Sequence, residues 1–565
     1  KKGHWFWDTL KRSREIYASV LLGSVMINMS VLVTPIFTMN VYDRVVPNGA
    51  VETLWFLAIG VAVVYCFDAV FRFIRNYLIE VAGKKGDIIM SSLVFERVLN
   101  LRMEHWPKSV GAFTSVLGQF ESIRNFFTAS TMVTFVDLPF SFLFLAVVAY
   151  IGDALVSIPL VTMALLMLYG MLIVRPLRAS IKDVFAASAM KNSMLVESLH
   201  SIRTIKTLGA SGHAQWAWEE TTGEIATKSL RARMLSGSIG VVTHILMQLN
   251  MVAIVIAGVY LIMDLELTLG ALIAVVLLSG RAIAPMAQVA SLVTNYQQTK
   301  ASFESMERLM NTEVERPDNK TYVRRSEIEG NIQFEEVEFI YPDTERAILS
   351  QFSLKVSPGE HVGVIGRVGS GKTTFAKLLL GLYTPSAGAL TLDGIDINQI
   401  DPVDLRRSIA YMAQDTELMR GTIRENITLK NPRAEDEEIL KAAHIGGVDL
   451  FVNAMPLGFD TPVGEQGYAL SSGQRQCVAL ARTVLSGENI IILDEPTNSM
   501  DNTTESLIRK RLREYTRDRT LLLVTHKAPM LELVERLVVV EGGRIIMDGP
   551  KEKVLTALQQ RSSAA

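Results

Sequence analysis

Apolar residues are segregated along this chain. Before residue 295 they run in stretches long enough to cross a bilayer, and beyond it they come in short strand-length and helix-length pieces. A helix that crosses the hydrocarbon needs about 20 mostly apolar residues. Six stretches meet that need, 16–41, 53–73, 130–150, 155–174, 239–262 and 268–289. The connections after the second and fourth are long and carry Lys84, Lys85, Arg97, Arg102, Arg175, Arg178, Lys182, Arg203 and Lys206. Cationic loops stay on the cytosolic side, so the N-terminus and the C-terminal half are expected there too.

Those long loops keep a helical apolar period, as in Ile88, Leu93, Val94, Val98 and Leu101, so the membrane helices are predicted to continue below the bilayer. Trp106-Pro107 breaks the first loop and Gly209-Ala210-Ser211-Gly212 the second, giving two tips, 107–113 and 208–214, that can touch a cytosolic domain. At the start, His4-Trp5-Phe6-Trp7 followed by Lys11, Arg12 and Arg14 reads as an anchor at the membrane lipid surface. No secretory leader is expected, and Lys1 in place of methionine leaves open that a longer product begins upstream. The organisation is therefore an interfacial segment 1–15, a membrane domain 16–310, a charged linker 311–329 with Pro317, and from Gly330 to 560 a domain of alternating strand and helix patterns with a largely parallel core.

Composition narrows this picture in two ways. Hydrophobic residues make up 49% of the chain and net charge is only -2, with no long basic block, so nucleic acid is not an expected partner. Cys66 and Cys477 stand alone, which excludes a disulfide framework or a cysteine metal site and leaves both as core residues.

The chemistry lies in the second half. Gly366-Arg367-Val368-Gly369-Ser370-Gly371-Lys372-Thr373 sits between an apolar strand, 361–365, and a helix opened by Thr374. Glycines at this spacing let backbone N–H groups curl around phosphate oxygens. The helix N-terminus adds positive potential, Lys372 meets the β and γ phosphates, and Thr373 holds Mg²⁺, so the expected ligand is ATP with Mg²⁺. A buried strand, 490–493, ends in Asp494 and Glu495; the first acid is expected on the metal and the second as the base that polarises the attacking water.

Leu470-Ser471-Ser472-Gly473-Gln474, just before a helix at 475–484, resembles the signature of the ABC transporter family, with Ser472 where that family has glycine. The resemblance spans essentially the whole chain. It implies an α-helical six-span transmembrane domain followed by an α/β P-loop nucleotide-binding domain with a helical subdomain. It also implies that Ser471, Gly473 and Gln474 reach across a homodimer to the ATP on the opposite phosphate loop. Tyr341 resembles the aromatic that stacks on adenine, though a tyrosine at a strand edge is the plainer alternative. Gln414 resembles the glutamine that joins the metal to the membrane domain. Asp501, in Ser499-Met500-Asp501, resembles the loop by which paired domains sense each other, or it is a helix N-cap. His526 stands where the family's γ-phosphate histidine sits.

Within the family, the stretch from Asn40 to Asn48 (NVYDRVVPN) and Asp137-Leu138-Pro139-Phe140 resemble the bacterial type I secretion ATPases. The implied substrate is a large repeat-rich adhesin or toxin, exported unfolded across the inner membrane with a periplasmic adaptor and an outer-membrane pore. Such exporters often carry a peptidase-like domain upstream. A lipid or hydrophobic small-molecule exporter is the alternative, and an ATP-gated channel is disfavoured because Glu495 and His526 are both present. Asp68, Asp137 and Arg281 each lie about 13 to 15 residues from the outer end of their span, roughly 20 Å in at 1.5 Å per residue. Charges at one depth are expected either to pair, Asp137 or Asp68 with Arg281, or to line the export route.

Overall fold

The computed structural model describes residues 4–564 apart from 108–112, 115–116, 119–122, 124–125, 127–130, 318, 326–327 and 343. The chain forms two compact units, Lys1–Leu99 with Pro107–Thr312, and Asn100–Trp106 with Glu313–Ala565.

The first unit is helical. Its long elements are Arg14–Val31, Val33–Asn40, Val51–Leu99, Thr131–Gly152, Ser157–His200, Ser211–Met263 and Leu269–Asn311. The apolar stretches read from the sequence fall on these helices, and several run far past the hydrocarbon length, as the loop periodicity predicts. By length and composition four helical stretches among the described residues can cross a membrane: Arg14–Asn48, Val51–Leu99, Asp137–His200 and Ser211–Met263. The third of these holds two of the predicted segments, joined at the 3-10 turn Asp153–Val156, and Leu269–Pro285 is a shorter apolar helix. The first stretch is interrupted at Leu32 because Pro35 brings no N–H to the carbonyl four residues back. It then loosens into a π-helical turn, Val41–Val45. Large side chains such as Phe56 and Phe73 project outward, where lipid is the solvent. Inside, Phe144, Val148, Leu155, Leu166, Ile254, Val275, Leu278 and Ile283 form a core shared by the third to sixth membrane segments.

The expected ion pair with Arg281 is not formed. Asn28 Nδ2 donates to Asp137 Oδ1 at 2.7 Å, and Arg75, itself buried, lies 4.0 Å from the same carboxylate. Asp68 pairs with Arg72 one helical turn away at 2.7 Å, while Arg281 is exposed. Depth along the membrane normal follows from counting residues; which face a side chain takes depends on helix rotation, and rotation decides the partner. Of the two expected tips, 107–113 lies largely outside the described residues, and 208–214 is a turn between helices Ile202–Thr207 and Ser211–Met263 with Gly209 at a φ of 64°.

The second unit is α/β. A six-stranded sheet runs β10-β9-β3-β8-β7-β6, with β3 His361–Gly366, β6 Ile409–Met412, β7 Ile490–Asp494, β8 Thr520–Val524, β9 Arg536–Glu541 and β10 Arg544–Pro550. All its pairings are parallel except β9 with β10. Strands β7 and β8 are buried throughout, which is why they read as continuous apolar runs without alternation. A second, antiparallel sheet, β2-β1-β4-β5, uses β1 Ile332–Ile340, β2 Ala347–Val356, β4 Ala387–Leu392 and β5 Ile395–Asp396. The helices Asp436–Gly446 and Ser472–Val484 pack Ile439, Ala443, Val478 and Ala481 into a separate core that also takes Leu493 and Leu523. The charged segment read as a linker is held to this unit: Val314 bridges Leu101, Arg316 pairs with Asp401 at 2.9 Å, and Glu315 pairs with Arg406 at 2.8 Å.

Candidate functional site

Strand β3 ends at Gly366, and the chain turns tightly before the Lys372–Leu379 helix. A Cβ on Gly366 would lie 2.1 Å from the Val540 carbonyl oxygen, and Gly371 has a φ of 97° with Leu349 Cδ2 2.7 Å from where a Cβ would stand. Only glycine fits either place. Ser370 and Thr374 are buried, and the Lys372 ammonium folds over the loop to donate to the carbonyls of Gly366 at 2.7 Å and Arg367 at 2.9 Å.

The sheet order sets the rest of the site beside this loop. Strand β8 lies between β3 and β7, and β7 delivers Asp494 at its carboxyl end. Thr373 Oγ1 donates to Asp494 Oδ2 at 2.7 Å, so the two residues expected on a metal, 121 apart in sequence, meet. Glu495 follows with a φ of 49°, a left-handed conformation that a side chain tolerates only when its surroundings hold it. Its amide donates to Val524 O at 2.8 Å, and its carboxylate lies 3.4 Å from His526 Nε2. Burial pushes the Asp494 and Glu495 carboxyls up, opposed at Asp494 by the Thr373 hydrogen bond and at Glu495 by nearby His526. Burial likewise pushes the Lys372 ammonium down, against the pull of Glu495 and Asp494.

Among the described residues, buried Ser370 Oγ has no hydrogen-bond partner, and Glu495 Oε1 has only the 3.4 Å approach of His526 Nε2. Unspent acceptors and donors beside a cation, a hydroxyl-carboxylate pair and a helix N-terminus fit a polyphosphate carrying a divalent cation. Oxygen ligands of the kind Mg²⁺ takes are available from Thr373 and Asp494.

The remaining expected residues are distributed around this centre. Tyr341 follows β1, packs edge-on against Phe339 and Tyr383 with ring centroids 4.8 and 5.2 Å away, and its hydroxyl is 3.3 Å from Thr374 Oγ1. Gln414 lies on the exposed segment after β6, whose last residue, Met412, pairs with Leu493 of β7. Ser471 is the N-cap of the Ser472–Val484 helix, in a capping box with Gln474: the Gln474 amide donates to Ser471 Oγ at 3.2 Å and the Ser471 amide to Gln474 Oε1 at 2.9 Å. Ser472 occupies an exposed first helical position where a side chain is accommodated, whereas a Cβ on Gly473 would stand 3.0 Å from Ser499 O. Among the described residues no hydrogen bond joins this stretch to the phosphate loop of the same chain. Asp501 caps the Asn502–Thr516 helix, accepting from the amides of Thr503 and Thr504 and from Thr504 Oγ1 at 2.6 Å; that hydroxyl holds its carboxyl below the usual range.

Three polar residues next to the site escaped the sequence reading. Gln476, buried, accepts from the Ser499 amide at 2.9 Å and donates to Glu495 O at 3.5 Å. Lys527 and the buried Glu505 pair beside the segment after Glu495. The only signal in the sequence was a polar residue, Gln476, set against the apolar run Cys477 to Ala481.

The family described as ABC transporter transmembrane region matches residues 18–286, and that described as ABC transporter matches 349–498. Leukotoxin translocation ATP-binding protein LktB of Bibersteinia trehalosi is 31% identical over 554 residues, 98% of this chain and 78% of its own. LktB of Mannheimia haemolytica and leukotoxin export ATP-binding protein LtxB of Aggregatibacter actinomycetemcomitans match at the same identity and coverage. A solved bacterial Atm1-family ABC exporter with ATP bound has the same fold, with a TM-score of 0.87 over 98% of both chains at 24% identity. The chain thus belongs to the ABC transporter family, as a membrane protein whose ATP-binding domain hydrolyses ATP to drive transport.

Proposed function

We propose that this chain is half of a dimeric exporter that drives an unfolded polypeptide, a large repeat-rich adhesin or toxin, across the bacterial inner membrane as part of a type I secretion system. A periplasmic adaptor and an outer-membrane pore complete the route in this reading. The observation that carries it is the match over 98% of the chain to proteins named for leukotoxin translocation and export.

The nucleotide site is assigned on the same basis. Tyr341 stacks on adenine, while Lys372 and the Gly366, Gly369, Ser370, Gly371 and Thr374 cradle hold the phosphates. Thr373, Asp494 and Gln414 hold Mg²⁺, which when bound neutralises charge developing on the phosphate oxygens. Glu495 orients the attacking water and takes its proton as the water oxygen bonds to the γ phosphorus and the bond to ADP breaks. His526 steadies Glu495 and the γ-phosphate. Ser471, Gly473 and Gln474 of the second copy close over the triphosphate, and Asp501 relays the state of one site to the other. The positive end of the Ser472–Val484 helix supports this reading, because its first-turn amides at Ser472 and Gly473 lie outside the capping box that Ser471 forms with Gln474.

The test uses the purified protein in liposomes. ATPase activity is measured with the unfolded C-terminal segment of a repeat-rich secreted protein and, separately, with hydrophobic small molecules or lipids. Stimulation by the polypeptide alone is expected. Stimulation by lipids or small molecules alone would overturn the assignment of cargo while leaving the nucleotide chemistry intact.

A further inference from the structure

The left-handed backbone of Glu495 needs a support that its own side chain does not provide. Its carboxylate faces His526 and its amide is bonded to Val524 O, while its carbonyl accepts from the Asn498 amide at 3.3 Å, so the segment that follows helps to fix the conformation. That segment is held at Thr497. Lys527 Nζ donates to Thr497 O at 2.7 Å, Thr497 Oγ1 donates to Glu505 Oε2 at 3.3 Å, and Lys527 closes the triangle by pairing with the same carboxylate oxygen. Thr497 and Glu505 are 1% and 4% exposed, and the Lys527 side chain, 27% exposed, reaches in to them from the edge.

Its position in the chain gives the junction meaning. Lys527 directly follows His526, whose ring faces Glu495. Glu505 lies one turn into the helix that Asp501 caps. The Lys527 amide bonds Thr525 Oγ1 at 3.1 Å, which fixes the turn carrying His526. One ammonium therefore ties together the histidine segment, the loop after the glutamate and the first turn of the Asn502–Thr516 helix. None of these contacts reaches the phosphate loop.

We propose that Lys527 and Glu505 are positioning residues for ATP hydrolysis, holding Glu495 and His526 in register so that the glutamate carboxylate is presented to water. The proposal rests on the assignment of Glu495 as the group that acts on water. A buried acid such as Glu505 carries a desolvation cost unless it is paired, and a pair kept at that cost beside a strained functional residue fixes geometry.

Removing one partner alone leaves a buried charge and can prevent folding, so the informative variant replaces both with apolar residues of similar size, Lys527→Met with Glu505→Leu, in the full chain reconstituted in lipid. We expect kcat to fall by roughly tenfold or more, as misplacement of a reacting group does, with KM for ATP within about twofold of the original. Lys527→Arg, which keeps both the donor and the charge, should recover most of the loss. A double variant with unchanged kcat, or one whose loss is matched by lost ATP binding, overturns the proposal, as does an arginine variant no better than the double one. Glu495→Gln run alongside separates the two readings: if it still turns over, the assignment of Glu495 fails, and if it is inactive while the double variant is normal, only the positioning role fails.

Discussion

The Asp43 carboxylate accepts a hydrogen bond from the Gly270 amide at 2.8 Å, and its other oxygen accepts from the Thr268 hydroxyl at 2.7 Å. Asp43 stands on the π-helical turn that ends the first membrane helix, and Gly270 on the first turn of the Leu269–Asn311 helix. An anion thereby meets the unsatisfied amides of a helix N-terminus. This gives a physical role to the stretch from Asn40 to Asn48, which the sequence singled out only by resemblance.

A Cβ on Gly270 would stand 2.5 Å from Met39 O and 2.6 Å from Asp43 Oδ1, so Gly270→Ala must push the two segments apart. The expected cost is about 1 to 3 kcal/mol, the range for overpacking. Asp43→Asn, which loses the charge but keeps an acceptor, should cost about 1 kcal/mol or less. Thermal unfolding in detergent measures both. An alanine variant that melts with the original protein would show that the two segments do not meet in this way.

In the membrane unit, Asp137→Ala leaves buried Arg75 without its anion, whereas Arg281 is exposed. The former should destabilise on the order of 3 kcal/mol, and Arg281→Gln should stay within about 0.5 kcal/mol. The folded, detergent-extractable fraction reports the difference. The reverse order would mean that Arg281, not Arg75, is the partner.

At the nucleotide site, Glu495→Gln should leave ATP binding intact, remove hydrolysis and trap a closed dimer, while Lys372→Ala should weaken binding itself. Retention of more than about a tenth of the rate by the glutamine variant, a barrier change under roughly 1.4 kcal/mol, is incompatible with a base role. A mixed dimer of Lys372→Ala with Ser471→Arg keeps one composite site, so it should retain activity that neither homodimer has.

Burial pushes the Cys477 thiol up to about 12. The native protein should therefore resist alkylation at Cys477 at mildly alkaline pH and become labelled on unfolding. The linkage has a definite sign. Because the folded value lies above the unfolded one, the thiol's contribution to stability is complete below about pH 8.5 and is lost as pH rises towards 12. Cys477→Ala should flatten the alkaline fall in stability; an identical fall in both proteins would place its cause elsewhere.

Local sequence was enough for the membrane helices, the phosphate loop and strand β7, because each depends on a property read over a short window. Apolar length sets a membrane helix, glycine spacing sets a phosphate cradle, and four consecutive apolar residues before Asp494 set a strand buried on both faces. The meeting of Thr373 with Asp494 was also legible, since the two motifs imply the same ligand. What the sequence left open depends on how elements rotate and where they cross. Asp137 was placed within a span but takes Asn28 and Arg75 as partners, because the azimuth of a helix is fixed by packing along its whole length. Lys527 and Glu505 belong to no local pattern, and Gln476 only breaks an apolar one; they matter because parallel pairing brings the ends of β7 and β8 together, and the loops beyond those ends must then satisfy one another's buried polar groups.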